Sequence, residues 1–182
     1  MWLPAVTVTP PSAEPVLLAA AKQYLRIDAG DDSFDDEIAT LIAASRADIE
    51  SICSTRLITQ EVLLQADSFA DLEHLPIGPV QSIEAVNYID SAGDEQLLAS
   101  ADYELVAAPL QAQIIRAAGV TWPTIADRPD AVRVTATVGY GEAGSDLPRD
   151  LYFVVLRSIR AKFDGSEIAI ENMLVNHRIW MS

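Results

Sequence analysis

The hydrophobic period changes twice along this chain, and those two changes limit the fold more than any single motif. Phe34, Ile38, Leu41, Ile42, Ser45, Ile49, Ile52 and Cys53 recur at i, i+4, i+7 and i+8, one stripe on a long helix predicted over 33–54. From 57 to 141 the helical spacing stops. Short alternating or β-rich runs take over at 59–65, 72–75, 82–89, 102–106, 112–116 and 131–139. Between them stand PIGP, DSAGDE, AAPL and TWPTIADRPD, whose Pro, Gly, Asn and Asp are turn chemistry. The helical period then returns at 146–164, where Leu151, Val154, Val155, Ser158 and Ile159 share a face. A shorter helix over 17–27 places Leu18, Ala21, Tyr24 and Leu25 together, although Leu17 stands where a capping Ser or Thr belongs.

The fold class that follows is α+β: a helical bundle of three main helices with a small antiparallel β module inserted between the second and third. The expected organisation is an extended N-terminal arm over 1–16, held open by Pro4, Pro10, Pro11 and Pro15, then a first helical part over 17–56. The β insertion covers 57–141, a second helical part 142–164 and a C-terminal tail 165–182. With 182 residues the chain has enough length to bury a core without a disulfide or metal staple. The lone Cys53 excludes an intrachain disulfide and a multi-cysteine zinc site, and on the apolar stripe it reads as a small buried hydrophobe. The opening MWLPAVTVTPPSAEP lacks the basic start of an export signal, and no apolar run approaches the ~20 residues of a membrane span. Manufacture in a reducing cytoplasm is the expectation.

Charge narrows the function classes. Twelve Lys and Arg against 27 Asp and Glu leave −15, and a chain that grips nucleic acid through phosphates needs clustered cations instead. The sign reverses locally between 149 and 163, where Arg149, Arg157, Arg160 and Lys162 outnumber Asp150. The densest acidic stretch, DAGDDSFDDE at 28–37, fails as a calcium loop: counting from Asp28 puts Ser33 and Ala39 at the glycine and glutamate positions, and counting from Asp31 puts Asp36 and Ile42 there. Asp31 or Asp32 as a helix cap, with Asp35, Asp36 and Glu37 in the first turn, explains it.

Gly139, Gly141 and Gly144 spell G-x-G-x-x-G between a strand and a helix, as a dinucleotide cradle would. Asp146 and Pro148 put the helix start beyond the third glycine, Glu142 puts a carboxylate in the phosphate position, and only 38 residues follow Gly144. The glycines are a corner. His74 and His177 lack metal-ligand spacing to another His or Cys, and there is no nucleophile elbow. No catalytic residue, cofactor or metal site is assigned, and an enzyme is not expected.

The ordered series AAAKQYLRID, DDEIATLIAASRADIESICSTRLITQ, LPIGPVQSIEAVNYID, ADYEL, WPTIADRPDAVRVTATVGYG and LPRDLYFVVLRSIRAKF resembles the head–tail connector (adaptor, head-completion) proteins of tailed phages and gene transfer agent particles, over about 16–164. The resemblance implies a homo-oligomeric ring, commonly of twelve, beneath the portal protein in the neck of a virion assembled in the host cytoplasm. Such a ring extends the channel through which double-stranded DNA passes without specific binding. It also docks a head-closure, stopper or tail protein. It implies no cofactor, no chemistry and no membrane. The C-terminal region of that family engages the portal, which makes the apolar tail residues Ile168, Ile170, Met173, Leu174, Val175, Ile179 and Trp180, with Arg178, the expected portal contact; a tail packed back on its own helices is the other reading of the same residues. A second function class also stays open: a small carbohydrate- or protein-binding module that presents Tyr88, Tyr103, Trp122 and Tyr140 from the β insertion.

Overall fold

The computed structural model describes residues 1–180. Its backbone is α+β, with three helices, a five-stranded antiparallel sheet and a separate two-stranded sheet. The contacts divide it into two units: 1–11 with 59–139, and 12–58 with 140–180.

The β unit begins with a strand that composition alone marks only as extended. Val6–Thr9 (β1) lies antiparallel to Gln60–Ala66 (β2), with Val6 opposite Leu63. Two helices of the other unit intervene in sequence: Leu18–Leu25 (α1) and Asp35–Cys53 (α2). The sheet continues through Val80–Ile89 (β3) and the three-residue Glu95–Leu97 (β4), and its spatial order is β1, β2, Val132–Val138 (β7), β3, β4. β2 and β7 alternate strictly between buried and half-buried residues, the period-2 pattern of strands that cover one core face. Val62, Leu64 and Ala66 meet Val132, Val134, Ala136 and Val138 in that core. Tyr103–Val106 (β5) and Gln113–Arg116 (β6) form the small second sheet.

Two expectations in this unit are corrected. The run 72–75 is not a strand: Phe69–Glu73 is a 3-10 turn, because Phe69 and Leu72, three apart, are both buried, and three-residue spacing suits a helical turn rather than a pleat. The stretch 90–95, read as turn throughout, leads into β4; Asp90 Oδ1 accepts the Ala92 and Asp94 N–H groups and returns the chain in register with β3.

In the helical unit α1, α2 and Arg149–Phe163 (α3) enclose Val16, Leu25, Ile38, Ile42, Ile49, Leu151, Val155 and Ile159. The five predicted core positions of α3 are all buried. The cap expected for α2 is not formed. Asp31 Oδ1 accepts the Ser33 N–H and so braces the turn before α2, whose N-cap is Phe34, without a side-chain bond. α3 starts after Pro148, and Asp146 Oδ2 instead takes the Ala143 N–H within its own short turn. Gly139 leaves β7 at φ 129, and a Cβ on Gly144 would overlap the Pro15 carbonyl oxygen. The glycines therefore let backbones approach and turn; only a single 3-10 turn, Gly144–Asp146, opens among them, and the α-helix starts later, at Arg149.

Candidate functional site

The tail is the first candidate. Past α3, Gly165 turns at φ 63 and the Ser166 N–H bonds back to the Ala161 carbonyl, closing the helix. Two short turns follow, Ile170–Met173 and Val175–His177. Ile170, Leu174 and Ile179 are buried in the helical core, and Ile168 and Met173 pack half-buried against it. Two polar contacts pin the segment. The Ile179 N–H donates to the Cys53 carbonyl at 2.9 Å, satisfying an orphan acceptor at the end of α2. His177 Nε2 lies 2.8 Å from Asp150 Oδ2 in the first turn of α3, and that contact holds the Asp150 carboxyl below its ordinary range.

Of the eight residues singled out in the tail, three are therefore interior, two are half-covered, and Val175, Arg178 and Trp180 point outward. Trp180 is 67% exposed with the Arg178 guanidinium 4.6 Å above its ring. That pair is a ready cationic and aromatic contact.

A buried polar node lies where α2 ends. Arg46 forks onto Glu14, Nε to Oε2 at 2.8 Å and Nη2 to Oε1 at 3.2 Å, and reaches Glu50 Oε2 at 3.3 Å. Glu50 Oε1 accepts the Leu57 N–H at 2.9 Å. Burial pushes the Glu50 carboxyl up, against the pull of that N–H and of Arg46 and Arg56. Burial likewise raises the Cys53 thiol to about 11, which leaves it a packing residue and no nucleophile at neutral pH. The sequence singled out none of Glu14, Arg46, Glu50 and Arg56; the i, i+4 spacing of Arg46 and Glu50 was the available signal.

The aromatics offered for a binding module are packing groups. Trp122 stacks on Phe69 at 4.7 Å and 7°, and Tyr88 tilts against the same ring at 5.9 Å. Tyr103 packs half-buried against the β core. Tyr140 belongs to the helical unit, with its hydroxyl pushed up to about 12 by burial. Among the described residues no three His, Cys, Asp or Glu side chains gather in a metal-holding group, and no helix is long and apolar enough to cross a membrane.

Charge separates the units. The β unit carries twelve carboxylates against Arg116, Arg128 and Arg133. Arg128 and Arg133 both bind Asp130, whose carboxyl they hold down to about 2. The helical unit holds the other nine cations.

No protein-family model matches the chain, and no curated protein matches it. Solved structures do share the fold. A chain in the neck of an empty gene transfer agent (GTA) particle computed with C6 symmetry superposes with a TM-score of 0.79 at 23% identity, over 99% of this chain and 97% of that one. A chain in the virion of a native GTA particle gives 0.80 at 24% identity, with the same coverage of 99% and 97%. One in the neck of a native GTA particle computed with C12 symmetry gives 0.69 at 23%, over 96% and 97%. The likeness runs the length of both partners, so the fold is that of a protein found in particle necks.

Proposed function

We propose that this protein is a structural connector in the neck of a tailed particle, of gene transfer agent or phage type, and that it is not an enzyme. The observation that carries the reading is the end-to-end fold match to chains of gene transfer agent necks and virion, both partners covered to 96% or more, on a sequence whose ordered segments resemble head–tail connectors. Copies form a ring, of about twelve, beneath the portal. The ring extends the DNA channel and docks the next head-closure or tail protein. The −15 charge supports a channel that lets DNA slide, since acidic walls repel phosphates.

In this reading the tail meets the portal through its outward residues Val175, Arg178 and Trp180, while Ile170, Leu174 and Ile179 fix that surface to the helical core. Native mass, measured alone and with the portal encoded beside it, tests the proposal. A closed ring, or a fixed number of copies per portal, is the expected result. A monomer indifferent to the portal rejects it. Deleting 166–182 without any loss of portal binding rejects the assignment to the tail alone.

A further inference from the structure

The outward face shared by α1 and α3 is not finished as a solvent face. Leu17, at the N-cap of α1, makes no capping bond and is 73% exposed. A residue that breaks the local rule without any gain inside its own fold points to a role outside it. On α3, Phe153 is 46% exposed and meets Tyr24 of α1 edge-on at 6.5 Å. Four residues before and after it stand Arg149 and Arg157, on the same face, both exposed and without a carboxylate partner among the described residues. The other two cations of α3 differ, for Arg160 is paired with Asp164 and Lys162 with Asp48. Leu17, Ala20, Tyr152 and Arg149 line a groove of about 370 Å³ beside the stripe. Scattered exposed apolar residues are ordinary, but an apolar patch framed by unpaired guanidiniums in so acidic a chain calls for an acidic, aromatic occupant.

The chain carries that occupant itself. In DDSFDDE, Phe34 is 39% exposed with Asp32, Asp36 and Glu37 exposed around it. Within its own chain Phe34 touches Phe163, at 5.7 Å. That contact is ten residues, or about 15 Å, further along α3 than Phe153, so the turn lies apart from the groove that it complements. A patch and its complement at separate places on one chain make a head-to-tail contact, and such contacts close into rings when the rotation allows.

We propose that the face formed by Leu17, Tyr24, Arg149, Phe153 and Arg157 receives the Phe34 turn of the neighbouring copy, the aromatic ring entering the apolar groove and Asp32, Asp36 and Glu37 meeting the two arginines. The inference rests on the ring reading and names its subunit contact. Two full-length variants test it, Arg149→Glu with Arg157→Glu, and Asp32→Arg with Asp36→Arg. Self-association is followed by sedimentation over a concentration series, and copies bound per portal are counted. Each variant alone should lose roughly tenfold or more in self-association, since like charges then face each other. An equimolar mixture of the two should recover it, with the two variants alternating. Recovery in the mixture also excludes misfolding as the cause of the loss. If the wild type assembles and both variants assemble as well as it does, this contact is wrong while the ring stands. A wild type that stays monomeric, alone and on the portal, removes ring and contact together. Variants that self-associate normally but lose the portal reassign the face to the portal and overturn the proposal.

Discussion

In the helical unit charge is carried inside, and in the β unit it stays at the surface. Lys22, Ser45, Glu50, Thr55 and Ser158 are buried polar side chains of the first, whereas Gln60 is the one of that buried set that belongs to the second. Backbone geometry accounts for the contrast. A sheet pairs its N–H and C=O groups strand to strand, as β2, β7 and β3 do. A helix leaves its last carbonyls and the next N–H groups without partners. Where α2 stops at Cys53, the Leu57 N–H is met by a buried Glu50 and the Cys53 carbonyl by the tail's Ile179 N–H. The helical unit therefore depends on specific polar contacts at its ends, and the β unit on register.

The largest effect that would break this contrast comes from the node. Glu50→Leu strands the Leu57 N–H and leaves Arg46 and Arg56 less compensated, with an expected loss of about 3 kcal/mol. Glu84→Gln, at a surface carboxylate of β3 bonded to Ser82 and Thr137, should cost below about 1 kcal/mol. Urea unfolding of both variants decides it, and equal losses would erase the distinction. Next comes glycine. Gly144→Ala drives a methyl against the Pro15 backbone and should cost roughly 2 kcal/mol. Gly93→Ala, in open space at φ 94, carries only backbone strain of about 1 kcal/mol. Thermal melts of the pair should keep that order.

A smaller effect is one of pH, and its sign differs between the units. Asp130 is held ionised down to about 2. Its stabilisation is complete above the unfolded value near 4 and fades as pH falls through about 2, so Asp130→Asn should flatten the acid limb of unfolding. Glu50 runs the other way: burial raises its carboxyl in the folded state, so acidification through that raised value favours the fold by this group's account. Melting midpoints of wild type, Asp130→Asn and Glu50→Gln across the acid range would separate the two; parallel curves for all three would refute both assignments. The smallest change should be Lys162→Ala, which breaks an exposed pair with Asp48 and is expected to move stability by no more than about 0.5 kcal/mol.

Much of the fold was legible because periodicity is local. Ile38, Ile42, Ile49 and Cys53 mark the buried side of α2, and the alternation from 132 to 138 marks β7. The candidate surfaces were legible only in part. The tail's apolar residues stood out in sequence, yet nothing in their order separates the buried Leu174 from the exposed Val175 beside it. Leu17 was visible as a poor cap, but its place beside Phe153's face follows from the packing of two helices far apart in sequence.

By itself, then, the sequence determined most of the element types, most of the buried positions of the three helices and the acidic balance. Each of these is set by neighbouring residues or by composition. Only the tertiary structure decided that 6–9 pairs with 60–66, that Phe69–Glu73 coils where a strand was expected, and that Glu50 sits beneath Leu57. These are choices of partner between segments that no local period can see, and they are settled by which pairing leaves the fewest buried backbone groups unmet.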